Sequence, residues 1–452
     1  MMRLKENPGM KRTPLRQLQA WQTSPRRKPL LLLGARQVGK TWLLQDFGKS
    51  CFRHTAYVRF DTNARARRIF EEDYNIPRIL NALQLETGTP LRAGETLLIL
   101  DEIQACPAAL TALKYLCEDA GELHVAAAGS LLGVEIHHGT GFPVGKVNTM
   151  HLYPMSFTEF LTAAGNELMA EALYARDWQL TNTFHEKFTE WLRYYYYIGG
   201  MPEVVSTFLE TNDFSQVRQA QRELLHNYRL DFTKHMSTRQ AADIARIWDA
   251  VPAQLSKENK KFIYTEAHPT LRSRTAAEPM LWLLRSGLIH HNRRVKVPQI
   301  PLSAYTDGAF KVFLNDVGLL SAMCDLKTTV LLEQNRLFGE YKGALTKQYV
   351  LQQLLADCGQ NDIFYWAEEK NEIDFLLSTE RGLVPVEAKA ERNLKAKSLH
   401  AYCNRFGNSL AVRTSMHTYE RNTVTTPKGH TYELLELPLY AVSQLMKECE
   451  TT

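Results

Sequence analysis

Apolar positions in the first third of the chain form short unbroken runs separated by stretches of helical spacing. Leu30–Leu33 is wholly apolar, as a strand buried on both faces requires. Thr55–Phe60, Thr96–Leu100, Leu123–Ala128 and Val147–Leu152 predict further strands. Between them Thr41–Phe47, part of Ala64–Leu83 and Pro107–Ala120 predict helices, the last with proline at a favourable first position. Strands alternating with helices predict an α/β domain, a parallel sheet with helices on both faces.

The pattern changes near residue 155. Phe157–Ala164 and Thr181–Tyr197 have helical spacing, and Gly199-Gly200-Met201-Pro202 breaks it. A mostly helical region follows to residue 325. Within it Ser273–Ser286 predicts a helix, kinked or restarted at Pro279 and stopped at Gly287. Leu288–Val297 then predicts a strand or hairpin rich in cations. Further on, the helix Tyr341–Ala356 precedes strands at Ile363–Ala367, Glu372–Leu377 and Leu383–Ala388.

Chemistry enters with Gly34-Ala35-Arg36-Gln37-Val38-Gly39-Lys40-Thr41, which fits GxxxxGK[ST] without mismatch between a predicted strand and a predicted helix. The glycines let backbone N–H groups converge on phosphates, and the helix start adds its positive dipole end. Lys40 would reach the β- and γ-phosphates of ATP, and the Thr41 hydroxyl would bind Mg²⁺. The strand from Thr96 ends in Asp101-Glu102. Asp101 is suited to hold Mg²⁺ through its water shell and Glu102 to polarise the attacking water. Ser130 closes a third strand, where it either senses the γ-phosphate or belongs to an ordinary turn.

Pro29–Thr41, Leu97–Gln104, Ala128-Gly129-Ser130 and Tyr153–Phe160 resemble the predicted ATPases of the AAA superfamily found in bacteria and archaea. In those proteins the ATPase is followed by a C-terminal domain of unknown function. The resemblance runs over nearly the whole chain from Trp21, and includes Gly199–Glu203 and Phe313–Leu320. It implies that Gly34, Gly39, Lys40 and Thr41 carry the nucleotide, that Asp101 and Glu102 serve metal and water, and that Ser130 is a sensor. No arginine finger stands out in the sequence, so a homo-oligomer that supplies one across subunits is an expectation.

The cationic stretch after residue 287 follows a helix, which is the plan of a winged helix, and the family is similar here. Arg272 and Arg274 would flank the helix start, and Arg293, Arg294 and Lys296 would lie on a wing near DNA phosphates. A winged helix used only for packing is the competing reading. In the last third, Glu372 and Asp374 share one strand face, as do Glu387 and Lys389 on the next strand. By sequence this D…ExK arrangement looks like the PD-(D/E)xK nuclease-like fold. That resemblance implies Mg²⁺ held by Asp374 and Glu387, with Lys389 positioning the water. Related sequences often place a glutamate in the preceding helix, where this chain has Lys347, or Gln348 if the register slips by one.

Composition changes the picture little: 452 residues, 23% charged and 44% hydrophobic, exclude a disordered or collagen-like chain. No apolar run approaches a membrane span, and seven scattered cysteines without a CxxC pair predict reduced thiols in a cytoplasmic protein. The net charge of +5 is uneven: residues 1–28 carry +7, residues 257–296 carry +6, and the remainder −8. Four parts are expected: a basic arm over 1–28, a P-loop AAA-type ATPase over 29–190, a helical and winged-helix region over 191–325, and an α/β nuclease-like domain over 326–452. The functional expectation is an Mg²⁺-dependent ATPase whose nucleotide state controls a DNA-binding C-terminal half, with DNA cleavage left open. The alternative is an ATP-gated interaction protein whose nuclease-like domain is a scaffold. A small-molecule kinase is the weakest reading, because such an enzyme rarely carries two further domains.

Overall fold

The structure, a computed structural model, describes residues 10–130, 143–233, 236–257, 261–328, 339–360, 362–368, 371–390 and 397–450. It divides the chain into two compact units. One holds Lys11–Tyr153 with Arg285–Gly287, and the other holds Pro154–Leu284 and Leu288 onward. The division falls at 153/154 rather than at the expected 190/191, because the helices after Pro154 pack with the C-terminal part of the chain.

In the first unit the apolar runs become strands β1 (Leu30–Gly34), β2 (His54–Arg59), β3 (Thr96–Asp101), β4 (His124–Ser130) and β5 (Asn148–His151). All pair in parallel, in the order β2-β3-β4-β1-β5. The helices are α1 (Pro14–Thr23), α2 (Lys40–Cys51), α3 (Ala64–Glu72), α4 (Ile76–Thr87) and α5 (Pro107–Asp119). Alternate strand residues such as Leu31, Leu33, Val58, Leu98, Leu100 and Ala127 face α3, α4 and α5 in one buried core. On the sheet, α2 contacts β1 to β4 and buries Leu43, Leu44 and Phe47. The P-loop NTPase architecture is therefore the one expected.

The expected basic arm is partly built into this unit. Trp21 donates its indole N–H to the Lys28 carbonyl at 2.9 Å, and its ring meets Phe47 and His124. Arg12 donates to the carbonyls of Val38 (2.9 Å) and Tyr153 (2.8 Å). Arg27 donates to those of Leu123 (2.9 Å) and Gly121 (3.0 Å). These cations are spent on main-chain acceptors. Arg3 and Lys5 lie outside the described residues.

Among the described residues the second unit begins with the helices α6 (Phe157–Ala163), α7 (Glu167–Ala175), α8 (Trp178–Thr183), α9 (His185–Ile198), α10 (Pro202–Thr211), α11 (Phe214–Phe232), α12 (Thr238–Ser256), α13 (Tyr264–Ala267) and α14 (Ser273–Arg285). The helix expected over Thr181–Tyr197 is two, separated at Phe184. The expected kink at Pro279 does not divide α14, where Pro279 is buried inside one helix. An eight-stranded mixed sheet follows, in the order β12-β13-β11-β10-β9-β8-β6-β7. Its strands are β6 (Ile289–Val295), β7 (Thr306–Leu314), β8 (Ile363–Ala367), β9 (Glu372–Thr379), β10 (Gly382–Ala388), β11 (Leu410–Ser415), β12 (Glu420–Thr425) and β13 (Thr431–Pro438). Its helices are α15 (Val317–Met323), α16 (Gly339–Ala356), α17 (Lys397–Phe406) and α18 (Leu445–Glu450).

This sheet spans the expected boundary at 325/326. The basic ribbon is β6 and β7, and β6 pairs in parallel with β8 across that boundary. A two-stranded ribbon leaves one edge of N–H and C=O groups unpaired, and joining the larger sheet satisfies it. The ribbon is thus part of the C-terminal sheet rather than the wing of a separate module.

Three sequence motifs meet in one buried polar node of this unit. The Met155 N–H donates to the Gly200 carbonyl at 2.7 Å, and the Gly200 N–H donates to Asp316 Oδ2 at 2.6 Å. Asp316 also caps α15 by accepting from the Leu319 N–H at 2.9 Å. From α16, Gln352 donates to Asp316 Oδ2 (3.1 Å), and Gln353 accepts from the Phe157 N–H (2.8 Å). Tyr195 donates its hydroxyl to the Met155 carbonyl. A Cβ on Gly200 would lie 2.0 Å from that carbonyl oxygen, so only glycine fits. Among the described residues, no helix is long and apolar enough to cross a membrane.

Candidate functional site

The first candidate site lies at the C-terminal ends of β1, β3 and β4, where α/β sheets gather their ligands. Register places Gly34 beside Ser130 on β4, and β4 pairs with β3 on its other side. The P-loop turns at Gln37 (φ +65°) and Gly39 (φ +92°), while Ala35 and Val38 are buried and anchor it. Arg36 is half-buried. A Cβ on Gly34 would stand 2.3 Å from the Leu152 carbonyl oxygen, so the loop is packed backbone to backbone.

Lys40 opens the twelve-residue helix α2, and its ammonium group donates to the loop's own carbonyls, Gly34 O at 3.0 Å and Ala35 O at 2.7 Å. Burial lowers its pKa to about 8, against the pull of Glu102 and Asp101. Thr41 donates its hydroxyl to Asp101 Oδ2 at 2.8 Å. Tyr57, on β2, donates to the same oxygen at 2.8 Å. Burial and Asp101 raise the Tyr57 pKa, which keeps the phenol a donor. Glu102 takes a left-handed backbone (φ +50°), its N–H donates to Asp101 Oδ1 at 3.0 Å, and its carboxylate accepts from Gln104 Nε2.

Every P-loop residue expected, with Asp101, Glu102 and Ser130, is therefore at one end of one sheet. The residues fit ATP and Mg²⁺: Thr41 and Asp101 are hard oxygen donors in contact, and Lys40 lies at the start of α2. Sequence reading missed Tyr57, Gln104 and Arg12. Tyr57 had a signal, since it shares a strand face with Arg59, whose register partner is Asp101.

The second candidate site is on the eight-stranded sheet. Val386 pairs with Phe375 in antiparallel register, which sets Glu387 opposite Asp374. The Ala388 N–H donates to Asp374 Oδ2 at 3.0 Å. Lys347 from α16 reaches Asp374 Oδ1 at 2.7 Å and Glu372 at 3.4 Å. Lys311 from β7 pairs with Glu372 at 2.5 Å, and Lys389 pairs with Glu387 at 2.7 Å. Burial pushes the Asp374 pKa up, but Lys347 and Lys311 prevail and hold it below the usual carboxylate range. Burial raises that of Glu387.

The structure resolves the register: Lys347 faces the acids, while Gln348 is hydrogen-bonded to the Leu314 main chain at 2.9 and 2.6 Å. These residues do not fit Mg²⁺. Ammonium groups hold the carboxylates, and among the described residues no group of three or more His, Cys, Asp or Glu could hold a metal ion.

The residues expected to meet DNA are in the same unit. Arg293 is paired with Asp362 (2.7 Å) and lies over the Phe364 ring, and Arg294 is paired with Asp307 (2.6 Å). Arg272 donates to the Pro269 carbonyl at 2.6 Å. Arg272, Arg274 and Lys296 are exposed.

Residues 26–161 match the model of an AAA domain, which supports an ATPase-type nucleotide-binding domain in that part of the chain. Residues 189–330 and 342–439 match two domains of unknown function, DUF8612 and DUF4143. No curated protein matches the chain by sequence. Among solved structures it is similar to a Walker-type ATPase of Pyrococcus abyssi, with 16% identity, 69% of this chain and 94% of that one covered, and a TM-score of 0.43. It is also similar to the Aeropyrum pernix ORC1 protein in complex with DNA (12% identity, 73% and 97% covered, TM-score 0.28). A third is the Thermotoga maritima RuvB Holliday junction branch migration motor (13% identity, 63% and 86% covered, TM-score 0.27).

Proposed function

We propose that this protein is an Mg²⁺-dependent ATPase whose nucleotide state controls a C-terminal region that binds a partner without cleaving DNA. The convergence of Lys40, Thr41, Asp101 and Glu102 at one sheet end supports the ATPase. Lys40 would exchange its two loop carbonyls for phosphate oxygens, and the backbone N–H groups at the start of α2 would face the same charge. Thr41 and Asp101 would hold Mg²⁺, which supplies charge neutralisation between the β- and γ-phosphates. Glu102, kept near the site by Gln104, would orient water and accept its proton.

Lys347 supports the second half of the reading, since Asp374, one of the two residues expected to hold a nuclease metal, is paired with an ammonium group. The ion pairs of Arg293 and Arg294 leave Arg272, Arg274 and Lys296 as the exposed members of the expected DNA set. DNA remains the partner to test first.

ATP turnover by wild type, Lys40→Ala and Glu102→Gln tests the site. Lys40→Ala should lose nucleotide binding, and Glu102→Gln should retain ATP but turn over about 10²–10⁴-fold more slowly. Equal turnover in Glu102→Gln and wild type would sink the assignment. Branched and linear DNA with Mg²⁺ and ATP tests the rest. Binding that weakens steeply with salt would identify DNA as the partner, and cleavage that Asp374→Ala removes would overturn the non-cleaving reading.

A further inference from the structure

Four elements of the second unit bring three carboxylates and three ammonium groups together. Glu372 and Asp374 share a face of β9, and Glu387 stands opposite Asp374 on β10. Lys311 comes from β7, Lys347 from α16, and Lys389 from just beyond β10. Asp374 and Glu387 are 7% and 3% exposed, so water cannot serve them as it serves surface acids. Among the described residues Glu387 Oε2 is buried without a hydrogen-bond partner, while its other oxygen is held by Lys389.

Hard divalent cations favour such a set of carboxylate oxygens, and compact positive charge is what the set lacks without its lysines. Here Lys347 Nζ contacts Asp374 and Glu372 together, and Lys311 takes the second share of Glu372. An incoming divalent ion would meet both ammonium groups at Glu372 Oε1 and that of Lys347 again at Asp374 Oδ1. Like charges at that range repel strongly in a buried site.

We infer that Lys347 is a built-in cation that keeps divalent metal out of this centre, and that exchanging it for a carboxylate turns the centre into a Mg²⁺/Mn²⁺ site. The inference rests on the non-cleaving reading of the C-terminal region. A glutamate at 347 would remove one positive charge and add an oxygen ligand beside Asp374, Glu372 and the unpartnered oxygen of Glu387.

The test is Mn²⁺ titration of the full-length, nucleotide-free chain followed by electron paramagnetic resonance. Wild type should bind no Mn²⁺ that Asp374→Asn removes. Lys347→Glu should take up one further Mn²⁺ per chain, about tenfold or more tighter than any site in wild type, and lose it when combined with Asp374→Asn. If Lys347→Glu fails to fold by circular dichroism, Lys347→Gln serves instead, and Mn²⁺ should raise its Tm by more than that of wild type, an excess lost with Asp374→Asn. Asp374-dependent Mn²⁺ binding by wild type overturns the inference, as does a folded variant at 347 that takes up no Mn²⁺. DNA cleavage is a separate readout, so failure of the non-cleaving reading registers there and failure of this inference registers in metal uptake.

Discussion

Asp316 holds the polar node of the second unit together, and its burial makes a quantitative prediction. The carboxylate is fully buried and accepts from the N–H groups of Gly200 and Leu319 and from Gln352. Burial raises its pKa to about 6, and the donors only partly offset this. A carboxylate with a higher pKa in the folded than in the unfolded chain binds its proton more tightly when folded. Its contribution to stability is therefore gained as pH falls through 6 and lost as pH rises through it. From pH 7.5 to pH 5 the gain is about one pKa unit, or ~1.4 kcal/mol. Asp316→Asn removes the titration. The stability difference between wild type and variant should then shift by ~1.4 kcal/mol in favour of wild type at the lower pH. Taking the difference cancels other shifted groups, such as Glu387. Urea unfolding at both pH values, followed by tryptophan fluorescence, reads it, since Trp248 is fully buried in this unit. The same difference at both pH values would rule out a raised Asp316 pKa, and a difference shifting the other way would mean that the donors outweigh burial.

Three further substitutions probe the nucleotide site. Tyr57→Phe takes one of two donors from Asp101 Oδ2 and should shift the Mg²⁺ needed for half-maximal turnover to lower values by roughly 2–10-fold; an unchanged Mg²⁺ titration would remove Tyr57 from the site. Gly34→Ala places a Cβ against the Leu152 carbonyl and should cost about 1–3 kcal/mol in thermal or urea unfolding and abolish binding of a fluorescent ATP analogue. Arg12→Ala releases Val38 and Tyr153 and should weaken nucleotide binding by about 1–3 kcal/mol, whereas unchanged affinity would make Arg12 structural alone.

Much of the first unit was legible because its information is local. A strand buried on both faces is an unbroken apolar run, so β1 and β3 could be placed within a residue. The P-loop was legible because phosphate binding demands glycines and a lysine at fixed spacing in one contiguous stretch. The roles of the four consecutive tyrosines Tyr194–Tyr197 were not legible: Tyr195 and Tyr197 spend their hydroxyls on Met155 and Phe214 carbonyls, partners that no local pattern announces.

The chain's local pattern alone gave the strands of the first unit, the P-loop and the acids Asp101 and Glu102, and it left Lys347 or Gln348 as the departure from a metal site. Tertiary structure alone decided what each charged group faces. The same ammonium chemistry lets Lys40 wait on two loop carbonyls and locks Lys347 onto Asp374. It also joined the basic ribbon to the C-terminal sheet, and spent Arg12, Arg27, Arg293 and Arg294 inside the protein. The physical reason is range. Periodicity and phosphate-loop spacing act within a few residues, whereas charge pairing and burial depend on neighbours that the fold brings from far along the chain.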